Sequence, residues 1–404
     1  MNRFTVTGAQ VFLPDEIVET TVSVEDGLIS DIGGPVQGIE IDGRNYCLAP
    51  ALVDVHGDAF ERQIMPRPGV FFPIEAAVLE TDRQLAANGI ATAFHAVTLS
   101  WEPGLRSLEK SQALIEALNL FAPRLTVENR VQLRWETFCF EAMDIINEAL
   151  EGPLLPSLAF NDHTSMAVLH PDIPLQDRPF DHVPDYPVAD MRSAKFSDKM
   201  KKRGERSGLS GTEYASLIRE RWTIRPDVPE AIRAVAAKAR SKNVAMLSHD
   251  DTQKETRDYY RSLGADISEF PMTIELAKTA RGDGDMIVFG APNAVRGGSH
   301  IEGSPGAGEM VEDGLCDILA SDYYYPAMLA GVARLDAEKR ADRLSLWRLI
   351  SSNPARAMKL VDRGDIVVGN RADLVLVCWP DGHMPAIRRT WVAGRDAYIS
   401  TPAH

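Results

Sequence analysis

Histidine, aspartate and glutamate recur in this chain at the ends of short apolar runs. His56 and Asp58 follow Leu52–Val55, Glu136 falls near the end of Val131–Phe138, and Asp162 and His163 follow Leu155–Phe160. His249, Asp250 and Asp251 follow Val244–Leu247, Glu269 sits in Ile267–Phe270, and Asp322 follows Asp317–Ala320. A single His/Asp pair of this kind is more often a hydrogen-bonded structural feature than a ligand pair. Four or five converging strand ends carrying nitrogen and oxygen donors point to a metal centre. Imidazole and carboxylate together suit zinc, manganese or iron(II) better than calcium or magnesium. In His56-Gly57-Asp58 the first and third residues share one face of an extended chain, so both side chains can reach one ion. A divalent ion lowers the pKa of its bound water to ~7 and makes hydroxide available at neutral pH. Asp322 is placed to take that water's proton and pass it to the leaving group. Its plainer role is to orient a histidine ligand.

Two further segments carry chemistry. Gly290-Ala291-Pro292-Asn293-Ala294-Val295-Arg296-Gly297-Gly298-Ser299-His300 combines small residues with Arg296, Ser299 and His300. It reads equally as a cradle for phosphate oxygens or as a tight turn. In Met65-Pro66-Arg67-Pro68-Gly69 the two prolines hold Arg67 in a stiff, extended stretch. That presents a guanidinium to an anion, or simply shapes the loop.

The elements that must position these groups alternate. Besides the runs above, Ala91–Val97 and Met286–Phe289 have strand length and apolar character. Helical patterns fall between, at Ile74–Asn88, Leu105–Leu120, Glu230–Lys242 and Leu344–Ile350. Eight such strand–helix units predict an α/β chain folded as a closed (β/α)₈ TIM barrel, with its chemistry at the C-terminal ends of the strands. An open doubly wound sheet would want a Gly-rich phosphate fingerprint after the first strand, and none is present. Both chain ends read as short strands: Phe4–Thr7, Ile17–Val24, Leu28–Ile32 and Ile39–Ile41, then Asp365–Val367, Asp373–Cys378 and Thr390–Val392. Neither end can bury a core alone. Residues 1–50 and 364–404 are therefore expected to pair into one small β-sandwich domain beside a barrel of residues 51–363. The segment Ser165–Trp222 is proline-rich, then basic across Lys199–Arg206. Its length predicts a lid or a partly disordered loop, and its basic cluster either reaches an anion or is merely solvated.

A formal net charge of −15 argues against a nucleic-acid partner, while leaving room for an anionic small substrate held by local cations and a metal. The four cysteines are widely spaced, which fits reduced thiols in a cytoplasmic protein rather than a disulfide framework or a zinc ribbon. No signal peptide or membrane span is expected.

The stretches APALVDVHGDAFE, MPRPGV, LRWET, NDHT, LSHDD, SEFPMT, FGAPNAVRGGSH, CDILASDYYYPAML, NPARAM and GNRADLVLV resemble the amidohydrolase superfamily. Within it they resemble the α-D-ribose 1-methylphosphonate 5-triphosphate diphosphatases of phosphonate metabolism. His-x-Asp in place of the superfamily's usual His-x-His marks this branch. The resemblance implies that His56, Asp58, His163, His249 and Asp322 hold the metal, with Glu136 as a bridging carboxylate. The expected cofactor is zinc, one ion or two, with manganese or iron as substitutes. The implied reaction is hydrolysis of the substrate's triphosphate with release of pyrophosphate. Arg67, Arg296, Ser299 and His300 are then the phosphate contacts, and Asp250 and Glu269 also face the substrate. A homodimer is the family-level expectation. After His163 the chain reads Thr164-Ser165-Met166-Ala167-Val168-Leu169-His170, which departs from the family pattern where a loop should face the substrate. A C–N hydrolase, amidase or deaminase, on the same barrel is the alternative. A catalytically dead scaffold is disfavoured by the intact ligand set.

Overall fold

The computed structural model describes residues 3–401. Its centre is an eight-stranded parallel sheet in sequential order. Barrel strands one to eight are Leu52–Gly57, Ile90–Leu99, Glu128–Glu136, Ser157–Asn161, Met246–His249, Ile267–Glu269, Met286–Gly290 and Ile318–Ala320. The strands are buried on both faces, as parallel strands covered by helices must be. Strand eight returns to strand one. The Asp58 amide donates to the Asp322 carbonyl, and the Asp322 amide donates to the His56 carbonyl, both at 2.9 Å. These bonds close the barrel and fix two candidate ligand strands against each other. Inside, Val53, Val55, Phe94, Leu247 and Val288 form an apolar cluster that the Ser352–Ala357 helix joins through Ala355 and Ala357.

The two chain ends pair. The edge order of their mixed sheet runs Arg395–Ile399, Ala386–Val392, Leu374–Cys378, Cys47–Pro50, Arg3–Phe12, Ile17–Glu25, Leu28–Ile32, with Ile39–Asp42 beside Arg3–Phe12. C-terminal Leu374–Cys378 lies antiparallel to N-terminal Cys47–Pro50, so neither end completes the sheet alone. Asp365–Val367 is a correction: it is loop rather than strand, because its neighbourhood turns at Gly364 and Gly369, both at positive φ.

The Ser165–Trp222 segment, expected as a lid or a partly disordered loop, is folded. It contains helices Ala194–Ser207 and Gly211–Trp222, begun by Ser193 and Ser210 side-chain caps. Phe196 and Met200 from the first and Tyr214 and Ile218 from the second, each pair four residues apart, bury together with Leu169 and Tyr186. Arg178 is 2% exposed and ties the segment down. It pairs with Asp181 at 2.9 Å and donates to the Asp162 carbonyl at 3.2 Å. No helix among the described residues is long and apolar enough to cross a membrane.

Candidate metal centre

Glu269, at the end of strand six, has no exposed surface. Its two oxygens accept from two imidazoles, His56 Nδ1 at 3.0 Å and His249 Nδ1 at 2.7 Å. A carboxylate at Nδ1 requires the proton there and leaves the Nε2 lone pair as the ligating atom. Burial works against the charge of Glu269, but the two imidazoles hold its carboxyl well below the usual range. Gln132 Nε2 donates to the same carboxylate at 2.8 Å and fixes its plane. Phe270 packs its ring edge-on to both imidazoles, with centroids 5.1 Å from His56 and 5.4 Å from His249.

Glu136 treats the third histidine in the same way. One oxygen accepts from His163 Nδ1 and the other from the His163 backbone amide at 3.1 Å. Three imidazoles thus have Nδ1 on a carboxylate. His56 forms a donor group with Asp58 and Asp322, and His163 and His249 form another with Asp250, the atoms of each group lying within 4.8 Å of one another. These are the nitrogen and oxygen donors a borderline divalent ion takes, so the residues fit such an ion. In both groups the carboxylates carry the negative charge. Arg134 balances part of it: its Nη2 donates to His249 Nε2 at 2.9 Å, and its Nη1 lies 3.9 Å from Asp58. Burial, then the neighbouring Asp58 charge, raise the Asp322 carboxyl to about 6. His56, Asp58, His249, Asp250 and Asp322 open into a cavity of about 200 Å³ whose far wall includes Asn293, Ser299, His300 and Ser304.

Residues 178–398 match the Amidohydrolase family model. The chain is 30% identical over 401 residues to the α-D-ribose 1-methylphosphonate 5-triphosphate diphosphatase of Escherichia coli (strain K12), covering 97% of this chain and 100% of that one. This chain belongs to the amidohydrolase family, in the branch that includes that diphosphatase. Solved structures of the same fold include molinate hydrolase (TM-score 0.62, 14% identity, 97% of this chain and 94% of that one). A triazine hydrolase variant is similar (TM-score 0.62, 12% identity, 98% and 94%).

The structure places several of the expected site residues in surroundings that differ from those expected. Glu136 was expected to bridge metals; here both of its oxygens face His163, one its Nδ1 and the other its backbone amide. Glu269 was expected to touch substrate, but it lies beneath the histidines with no exposed surface. Asp250 was also assigned to substrate. Its Oδ2 lies 3.4 Å from His249 Nε2 and 3.8 Å from His163 Nε2, inside a donor group. Arg67 is exposed in a turn closed by the Val70 amide on its own carbonyl, and Arg296 is exposed in the last turn of the Ala291–Arg296 helix. Neither guanidinium lines the cavity, whereas Ser299 and His300 do. The cavity's guanidiniums are Arg106 and Arg134. Arg106 bonds Glu61 at 2.8 Å and reaches Asp58 at 3.5 Å. Gln132, Arg134 and Glu136 form an i, i+2, i+4 series on the inner face of strand three, so the spacing that flagged Glu136 could have found the other two. Arg106 comes from a loop and leaves no such signal.

Proposed function

We propose that this amidohydrolase uses divalent metal, zinc as one ion or two, to cleave the triphosphate of α-D-ribose 1-methylphosphonate 5-triphosphate and release pyrophosphate in the cytoplasm. The observation that supports metal hydrolysis is the set of three carboxylate-anchored imidazoles, of which His56 and His249 border a cavity also lined by Asp58, Asp250 and Asp322. The substrate comes from the E. coli relative. His56, Asp58, His163, His249, Asp250 and Asp322 would hold the metal. When bound, it would polarise a phosphoryl oxygen and lower the pKa of water. Asp322, raised to about 6, is largely ionised at neutral pH and is a weak enough acid to return a proton. It takes the proton of the attacking water as the new P–O bond forms. It returns it to the pyrophosphate oxygen as the old P–O bond breaks. Arg106 and Arg134 face the charge that develops on the phosphoryl oxygens, while Asn293, Ser299 and His300 offer hydrogen bonds on the opposite wall.

The test is product analysis. Metal-loaded protein is offered the ribose 1-methylphosphonate triphosphate, a nucleoside triphosphate and a panel of amides. Pyrophosphate and a ribose 5-phosphate product are expected in equal amounts from the first. Amide turnover with no phosphate or pyrophosphate release would overturn the reading in favour of C–N hydrolysis.

A further inference from the structure

A second cleft, of about 320 Å³, lies on the other side of the candidate metal centre. Arg106, Glu136 and His163 line it on the barrel side, and Lys202, Arg203 and Tyr214 on the side of the folded insertion. Arg106 lines both cavities. His163 borders one and His249 the other, with their rings 5.8 Å apart. The donor cluster therefore sits between two chambers.

The charges of the second chamber are not all compensated. Its two carboxylates are committed, Glu136 to His163 and Glu102 to the Tyr214 hydroxyl. Arg106 is paired with Glu61. Among the described residues no carboxylate is within ion-pair reach of Lys202 or Arg203. The Thr98 hydroxyl lines the same cleft, buried and without a hydrogen-bond partner. Two cations outside any ion pair, a third cation in Arg106 and an unused hydroxyl around one space suit a multi-oxygen anion better than a single carboxylate.

We propose that the insertion builds a second anion subsite, in which Lys202 and Arg203 bind a phosphoryl or phosphonyl group of a substrate that spans the metal centre. The reading above supplies only the identity of the anion. The subsite itself rests on the cleft. A substrate carrying anions at both ends would place its scissile bond at the donor cluster and one charged end in each chamber. The end held by Lys202 and Arg203 is either the leaving pyrophosphate or the distant phosphonate.

Calorimetric titration of the metal-loaded protein with pyrophosphate and, separately, with methylphosphonate distinguishes the two sources. Lys202→Ala/Arg203→Ala should weaken one of these ligands about tenfold or more. Lys195→Ala/Lys201→Ala removes the same charge from exposed positions of the same helix and should not. Loss of pyrophosphate binding assigns the cleft to the leaving end, and loss of methylphosphonate binding assigns it to the far end. Unchanged affinity for both ligands, or equal loss in the two double variants, overturns the subsite. Absence of pyrophosphate release by the wild-type enzyme would defeat the proposed reaction, while the titrations would still decide whether the cleft binds anions.

Discussion

Asp322 is costly where it stands. Its ordinary value of 3.8 rises to about 6 through burial and the charge of Asp58. The folded state therefore holds that proton more tightly than the unfolded one. The metal-free protein keeps full stability from this group below about pH 4, loses it as pH rises to about 6, and carries the whole penalty above. That penalty is at most roughly 3 kcal/mol. Asp322→Asn keeps a side chain that tolerates the left-handed backbone here, φ +54. Melting of metal-free protein from pH 4 to 8 should show the variant more stable than wild type at pH 7, with a flatter profile, while its turnover collapses. A variant less stable than wild type at pH 7 would contradict this. Glu269 poses a sharper question. Glu269→Gln offers one acceptor and one donor to two Nδ1 atoms, so one imidazole must move its proton to Nε2 and stop ligating. Metal affinity should fall by about 10–100-fold in chelator competition, and unchanged affinity would remove Glu269 from its orienting role. The candidate donors were visible in sequence because each closes an apolar run. The orienting layer was not: sequence places Glu136 and Glu269 at strand ends without saying how deep they lie or which imidazole faces them.

At the scale of elements, the site depends on how strands end. Asp250, Phe270 and Asp322 follow strands five, six and eight with φ of +56, +56 and +54. Non-glycine residues adopt this conformation at a cost, and such strain gathers at functional sites. Here the left-handed turn carries two carboxylates and one ring to the candidate metal centre. Gly57 lies directly opposite Asp322 in the seam between strands one and eight. A Cβ there would lie 2.6 Å from Asp54 Oδ2 and 2.9 Å from Ser321 Oγ, where strands one and eight close. Gly57→Ala must push these strands apart or move the buried Asp54–Ser321 bond. A loss of about 1–3 kcal/mol is expected by urea unfolding, with weaker metal binding because His56 and Asp58 flank the displaced residue. Wild-type stability would show that the seam is looser than this geometry allows. The eight strands were readable because continuous apolar runs of strand length have few other uses in a chain with alternating helices. The insertion's helices were hidden for the converse reason. In Ala194–Ser207 the buried pair Phe196 and Met200 is surrounded by lysine, arginine, aspartate and serine, so charge obscures a narrow apolar face.

The whole molecule is held together by an arrangement in which each chain end is incomplete. Pairing of the ends was legible from two sets of short strands, neither able to bury a core, but the order of the sheet was not. Cys47–Pro50 and Arg395–Ile399 are too short and too mixed to announce themselves, and only the fold shows that Cys47–Pro50 joins the N-terminal strands to Leu374–Cys378. This sheet also packs on the barrel. Ile387 and Val392 share an apolar cluster with Leu85, Ala86 and Ile90, and the Thr390 hydroxyl donates to the Ala86 carbonyl at 2.8 Å. Trp391 stacks on Phe4, with centroids 5.4 Å apart, and so ties the C-terminal strands to the N-terminal ones. A chain ending at residue 385 would lose the buried side chains of Ile387, Trp391 and Val392 and leave Leu374–Cys378 as an unprotected edge. At about 1.5–3 kcal/mol for each large apolar side chain, the three contribute roughly 5–9 kcal/mol. That is comparable with the entire stability of an ordinary folded protein, about 5–15 kcal/mol. The shortened chain should therefore collect in the insoluble fraction or show no cooperative urea transition. Trp391→Ala, which keeps the strands, should remain folded with a lower midpoint. If the shortened chain instead unfolded cooperatively at the wild-type midpoint, the end sheet would be an appendage and the barrel would stand alone.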